Sequence, residues 1–205
     1  MEELGLLINK IQIEYDRIVE LWKNSKKNDG YNLSKTLVKQ YNSSVLLDRI
    51  FEYISFLNDN IISGFVLAID NWDKNNSKVS FRVKTRNSIT YKINNYITNH
   101  DQGKIPINKC INDLFGIRII LDGDYNYNEI RDFVNKNYPD LKCICSDKLD
   151  YIATHIYFKR KGDNTAFRWE LQVWLLKNEQ KNIESHRKYK QGYVVWEKEI
   201  KEGIQ

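Results

Sequence analysis

No apolar run in the 205-residue sequence approaches the roughly 20 residues that cross a bilayer, so no membrane partner is expected. Met1 to Leu7 holds two glutamates and no basic cluster ahead of its apolar residues, unlike a secretory leader, which leads to the expectation of a cytoplasmic protein. Cysteines number three, too few for a thiolate metal site without other ligands. Cys110 stands alone, while Cys143 and Cys145 alternate along one side of an apparent strand, and all three read as buried free thiols. Histidine is absent from the first 75 residues, and the three present, His100, His155 and His186, show no H-E-x-x-H spacing. Internal repeats and low-complexity tails are also absent.

What is present describes one globular domain with room for a helical extension. Hydrophobic residues make up 41% and charged residues 29%, enough for one sizeable core at this length. The net charge of +5, from 32 basic and 27 acidic residues, is compatible with polyphosphate or nucleic-acid partners and selects neither. Leu4, Ile8, Ile11, Tyr15, Ile18 and Trp22 recur at helical spacing, and Leu46, Ile50, Tyr53, Ile54, Leu57 and Ile61 predict a second helix over 45–69. Turn formers at 24–32 and 71–77 bound these two helical segments. Val79, Phe81 and Val83 alternate with Ser80, Arg82 and Lys84 as in a strand with a basic face. Next come a helix capped by Asn87 or Ser88 and ending near Thr98, a buried strand over 114–121, and a helix over 127–137. Strands near 141–146, 154–160 and 167–174 and a polar helix over 177–190 complete the chain. The expected fold class is α/β (α+β), a mixed β-sheet flanked by helices, divided as 1–75 helical region, 76–192 catalytic domain and 193–205 C-terminal segment.

Three segments concentrate polar groups. Arg82 and Lys84 share a strand face, and Ser88 and Lys92 follow one turn apart on the next helix, so all four can converge on one anion or form a solvated basic face. Asp113 stands at the mouth of a hydrophobic strand that carries Arg118 inside it; a buried pair or a turn cap explains them as well as a site does. Arg168, Glu170 and Gln172 fall on one strand face, either a site floor or a solvent-facing edge.

Taken in order, the segments resemble the synthetase domain of the RelA/SpoT family, makers of the alarmones pppGpp and ppGpp. The motifs are R-x-K-x-x-x-S-x-x-x-K at Arg82 to Lys92, D-L-x-G-I-R at Asp113 to Arg118, Y-x-x-x-H at Tyr151 to His155, E-x-Q at Glu170 to Gln172, and H-x-x-Y-K over His186, Tyr189 and Lys190. The resemblance implies a fold related to nucleotidyltransferases and Mg2+-dependent transfer of the β,γ-pyrophosphate of ATP to the 3′ hydroxyl of GDP or GTP. It implies adenine held between Arg82 and Arg118, phosphates held by Lys84, Ser88 and Lys92, and magnesium on Asp113 and Glu170. Glu170 would complete the metal site or take the proton, with Gln172 in support, while Tyr151 would stack on the acceptor base and His155 contact its phosphates.

Three departures fall near the acceptor motif. Asp150 replaces the glycine before the stacking tyrosine, Ala153-Thr154 precede the histidine, and Trp174 stands where the family commonly has arginine. They keep open transfer to the 3′ end of tRNA, as in toxic relatives, or nucleotide or RNA binding without catalysis. Without the family's hydrolase histidines, the chain reads as a small stand-alone synthetase, and small relatives lead to the expectation of a homo-oligomer.

Overall fold

The computed structural model describes residues 1–25, 32–40, 43–61, 65, 69, 72, 78–148 and 150–188. Helix α1 spans Glu2–Asn24, with Glu2 and Glu3 at its positive end and Lys23 at its negative end, the arrangement the helix dipole favours. Its predicted apolar stripe, from Leu4 to Trp22, is buried. Helix α2, Ser43–Ile61, buries the predicted Leu46, Ile50, Tyr53, Ile54, Leu57 and Ile61. The spacing predicts a helix as far as 69; residues 65 and 69 are helical, and the rest of that stretch lies outside the described residues, as do most of both predicted turn regions.

The sheet has five strands: β1 Lys78–Val83, β2 Phe115–Leu121, β3 Lys142–Lys148, β4 Tyr151–Phe158 and β5 Trp169–Leu175. Their order is β1-β2-β5-β4-β3, parallel between β2 and β5 and antiparallel elsewhere. The expected mixed sheet flanked by helices is what the chain adopts. Between β1 and β2 lie α3, Arg86–Asn99, and the short α4, Ile107–Cys110; between β2 and β3 lies α5, Tyr127–Asn137. Helix α5 has the predicted limits because Asn126 and Glu129 close a capping box at its start. Helix α6 covers 179–188 after a 3-10 turn, Leu176–Asn178, and its predicted continuation to 190 lies outside the described residues.

Several boundaries differ from expectation. Thr85, not Asn87 or Ser88, caps α3, because its side chain accepts the Ser88 amide and leaves Ser88 inside the first turn. Strand β4 starts at Tyr151, three residues early, because the β3–β4 register begins at Lys148 opposite Tyr151. Cys110 is buried as expected, but Cys143 and Cys145 are only half-buried on the edge strand.

Alternation divides the sheet into two faces. One carries Phe115, Ile117, Ile119, Trp169, Leu171, Val173, Ile156 and Phe158 and packs in a single core with α1 and α2. Tyr15 meets Trp169 edge-on at 5.4 Å, Phe115 lies 4.5 Å from the same indole, and Tyr53 accepts its Nε1–H at 3.2 Å. Tyr53→Phe removes the acceptor while keeping the ring, leaving a buried indole N–H unpaired, so unfolding free energy is expected to fall by about 1–3 kcal/mol in denaturant titrations. An unchanged midpoint would show that the bond contributes nothing.

Candidate functional site

The opposite face of the sheet carries the polar residues in cross-strand rows. One row runs from Arg82 through Gly116 and Glu170 to Tyr157; the next runs from Ser80 through Arg118 and Gln172 to His155. Arg82, Gly116, Arg118, Gln172 and Trp174 line a cavity of about 420 Å³, closed on one side by Ile183, His186 and Arg187 of α6. Buried Asn182 fastens α6 over this face: it accepts the Ile152 amide and donates to the Ile152 carbonyl, both at 2.9 Å. Gly116 meets no conformational demand for glycine; a Cβ there would lie 3.8 Å from the Arg82 side chain and take space from the cavity.

Arg118 lies over Trp174, its guanidinium carbon 3.6 Å from the ring centroid, a cation–π contact. Its Nη2 donates to Gln172 Oε1 at 3.0 Å. Burial lowers the Arg118 pKa, and the nearby Arg82 charge lowers it further. Two guanidinium groups facing one cavity beside an indole can hold a flat aromatic ring between them.

A hydrogen-bonded chain continues from Gln172. Its Nε2 donates to Glu170 Oε2 at 2.8 Å; Glu170 Oε1 lies 2.9 Å from His155 Nδ1; His155 Nε2 lies 3.2 Å from the Tyr151 hydroxyl. Burial alone would raise the Glu170 pKa, but the bond and charge of His155 and the Gln172 amide outweigh it, and the carboxyl stays below its usual range. Burial pushes the Tyr151 phenol up to about 12, so it remains protonated at neutral pH. The Tyr151 ring meets His186 edge-on at 5.1 Å and Trp174 at 6.1 Å.

Asp113 precedes β2 at the Glu170 end of the sheet. Lys84 and Lys92 both pair with it, Lys92 Nζ at 3.0 Å from Oδ1. Burial opposes ionisation of Asp113, yet Lys92 and Lys84 hold its pKa well below the carboxylate range. Burial lowers the Lys84 pKa, whereas for Lys92 the Asp113 charge overcomes burial and raises it. The charge of Asp113 is felt at Glu170. Two ionised carboxylates at one end of a sheet suit magnesium, which takes one or two carboxylates, retains waters and completes its shell with substrate phosphates.

The sheet thus brings together Arg82, Arg118, Glu170, Gln172, Tyr151, His155 and His186, with Lys84, Lys92 and Asp113 at its end. Ser88 is half-buried one turn from Lys92, its hydroxyl accepting from Thr85 at 3.0 Å. Tyr189 and Lys190 lie outside the described residues. Arg168 is not part of the face expected for it: β5 begins one residue later, and Arg168 lines a separate depression. Sequence reading missed Gly116 and Tyr157. Tyr157 stands opposite Glu170 in the strand register; burial first, then the Glu170 and Asp113 charges, keep its phenol protonated.

The chain matches no protein-family model and no curated protein. Among solved structures it is similar to a GTP pyrophosphokinase family protein from Streptococcus pneumoniae, with 20% identity, a TM-score of 0.42, and coverage of 74% of this chain and 79% of that one. Small alarmone synthetase 2 from Bacillus subtilis gives 16% identity, a TM-score of 0.41 and coverage of 74% and 82%. Small alarmone synthetase 1 from the same organism, bound to its product pppGpp, gives 17%, 0.40, and 73% and 82%.

Proposed function

We propose that the chain is a RelA/SpoT-type synthetase that transfers the β,γ-pyrophosphate of ATP to the ribose 3′ hydroxyl of GDP or GTP, with Mg2+ held by Asp113 and Glu170. The observation that carries this reading is the gathering of the separate motifs into adjacent rows on one sheet face, beside a cavity that Arg82 and Arg118 of the sheet line. Adenine lies between Arg82 and Arg118, with Gly116 leaving room beneath it. Lys84 and Lys92, which neutralise Asp113 in the free chain, turn to the phosphates, and Ser88 donates to them. Release of the lysines to phosphate would free Asp113 oxygens to hold magnesium together with Glu170, where the ion would supply neutralisation of charge on the transferred phosphates.

Tyr151 stacks on the acceptor base and His155 contacts its phosphates. The 3′ oxygen attacks the β-phosphorus in line, the bond from that phosphorus to the α-phosphate oxygen breaks, and AMP leaves. Glu170 completes the metal site or takes the hydroxyl proton, and either role needs the ionised carboxylate that His155 and Gln172 maintain. Asp150 supports the acceptor assignment: its φ of 68° lies in the left-handed region glycine occupies freely, so the acid preserves the turn into Tyr151.

Incubation with γ-labelled ATP and magnesium is expected to label GDP or GTP. Label on tRNA alone would move the acceptor to RNA, and label on neither would remove the catalytic reading. Tyr151→Ala is expected to raise the acceptor KM about tenfold, the loss of one base-stacking contact, with the ATP KM nearly unchanged. Equal increases in both constants would count against stacking.

A further inference from the structure

Where β4 turns back to β5, loop 159–168 forms a second depression of about 140 Å³ that shares no residue with the arginine-lined cavity. Lys159, Arg160, Lys161 and Arg168 line it together with the amide side chains of Asn108 and Asn164. Four cations therefore surround a volume with a single carboxylate, Asp163. That carboxylate is engaged elsewhere: Lys23 of α1 lies 2.9 Å from it, and the Thr165 amide and hydroxyl donate to it at 2.8 and 2.9 Å. Arg160 and Lys161 meet Glu20 and Asp140 only in exposed pairs, a kind that contributes little and exchanges readily for a stronger anion. Among the described residues, no carboxylate lies within ion-pair distance of Lys159 or half-buried Arg168.

The walls are built in advance. Leu33 N–H donates to the Asn164 carbonyl at 2.7 Å, Ser34 Oγ donates to Asn164 Oδ1 at 2.6 Å, and buried Asn108 donates to Ser34 Oγ at 2.7 Å. These bonds fix the loop against the 32–36 turn and α4 before any ligand arrives. They also use the Asn164 side-chain acceptor, leaving its amide donors available. A planar guanidinium, ammonium groups and amide donors around a small volume match a tetrahedral oxyanion. The space is a third of the main cavity, too small for a whole nucleoside triphosphate.

We propose that this depression is a second anion site that binds a phosphate group, either the free ion or the terminal phosphate of a nucleotide, with Arg168 as its principal ligand. Isothermal titration of inorganic phosphate into the full chain tests it, using wild type, Arg168→Gln, Lys159→Gln and Arg82→Gln. Arg168→Gln is expected to weaken one phosphate-binding event by about tenfold or more, and exposed Lys159→Gln by about threefold. Arg82→Gln should leave that event unchanged. Lys159→Gln guards against misfolding of the Arg168 variant, since Lys159 is exposed. An Arg168→Gln isotherm superimposable on wild type overturns the assignment, as does an unaltered chain that binds no phosphate. AMP in place of phosphate separates the sources: tighter, Arg168-dependent binding of AMP identifies the phosphate end of a nucleotide, and equal binding identifies the free ion.

Discussion

Glu170→Gln is expected to lower kcat for pyrophosphate transfer by about 10³-fold while changing the dissociation constant of a non-hydrolysable ATP analogue by less than about threefold. The split arises from where each group sits. In the proposed function, adenine contacts would come from Arg82, Arg118 and Gly116, which line the cavity, and phosphate contacts from Lys84 and Lys92, none of which is Glu170. Gln at 170 keeps the size of the side chain and one oxygen that can face His155 Nδ1, so the bonded chain to Tyr151 can persist. What it loses is the negative charge and, where its amide nitrogen replaces Oε2, the acceptor for Gln172 Nε2. Either a metal ligand or a proton acceptor needs that charge, so catalysis fails in both cases while binding survives. A variant with kcat within about threefold of wild type would remove Glu170 from both roles.

Tyr157→Phe separates support from chemistry at the same carboxylate. His155 and Gln172 bond to Glu170 directly, and the Tyr157 hydroxyl stands opposite it in the strand register, where the carboxylate charge raises its pKa. Losing it leaves two partners and the ionised state, so a fall in kcat of about tenfold or less is expected, well short of the Glu170→Gln loss. A comparable loss would make Tyr157 as necessary as the carboxylate itself.

How much of this was legible in the sequence depends on whether the determinant is local. The α1 and α2 stripes were, because a helix shows its buried face at a fixed spacing that needs no partner. Helix α5 was too, since its capping box lies within four residues. The start of β4 was not. Tyr151 to Phe158 places Tyr, Ala, His and Tyr on one face and Ile, Thr, Ile and Phe on the other, a weak alternation whose limit is set by pairing with Lys148. Arg168 was placed on the Glu170 face by carrying the strand period one residue past the first paired position.

The site divides along the same line. Asp113, Glu170, Arg82 and Arg118 could be named from motifs, but the motifs lie up to about a hundred residues apart and only register makes them neighbours. Gly116 and Tyr157 gain meaning solely from that register: Gly116 opposes Arg82 on one side and Glu170 on the other, and Tyr157 opposes Glu170. Trp174, noted as a departure from the expected arginine, proves to be the plate on which Arg118 rests. The change therefore reaches the arginine cavity as well as Tyr151.

Asp113→Asn should have the largest effect on stability, because it leaves two ammonium groups close together with no counter-charge. Lys84, Lys92 and Asp113 are each at least four-fifths removed from solvent at the side chain. Deleting one member of such a buried group costs about 3–5 kcal/mol, the penalty falling on the charges left behind. Denaturant titration at pH 7 measures it, and Lys84→Met added to Asp113→Asn should recover part of the loss, since only one lysine then lacks a partner. The acid limb gives an independent reading. The folded pKa of Asp113 lies below its unfolded value of about 3.9, so its contribution is complete above that pH and declines as the pH falls below about 4 toward the folded pKa. The wild type should lose stability in that window more steeply than Asp113→Asn, which has no carboxyl there to protonate; parallel slopes would mean the lysines do not hold the Asp113 proton off. The same variant distinguishes metal ligand from ion-pair partner. With the carboxylate gone, Lys84 and Lys92 have no competitor for phosphate, so an ATP analogue should bind at least as tightly as before. If Asp113 acts only as their partner, kcat should follow the folded fraction. If it also holds the metal, kcat per folded molecule falls by about 10²-fold or more while nucleotide affinity holds, and that divergence is the result expected.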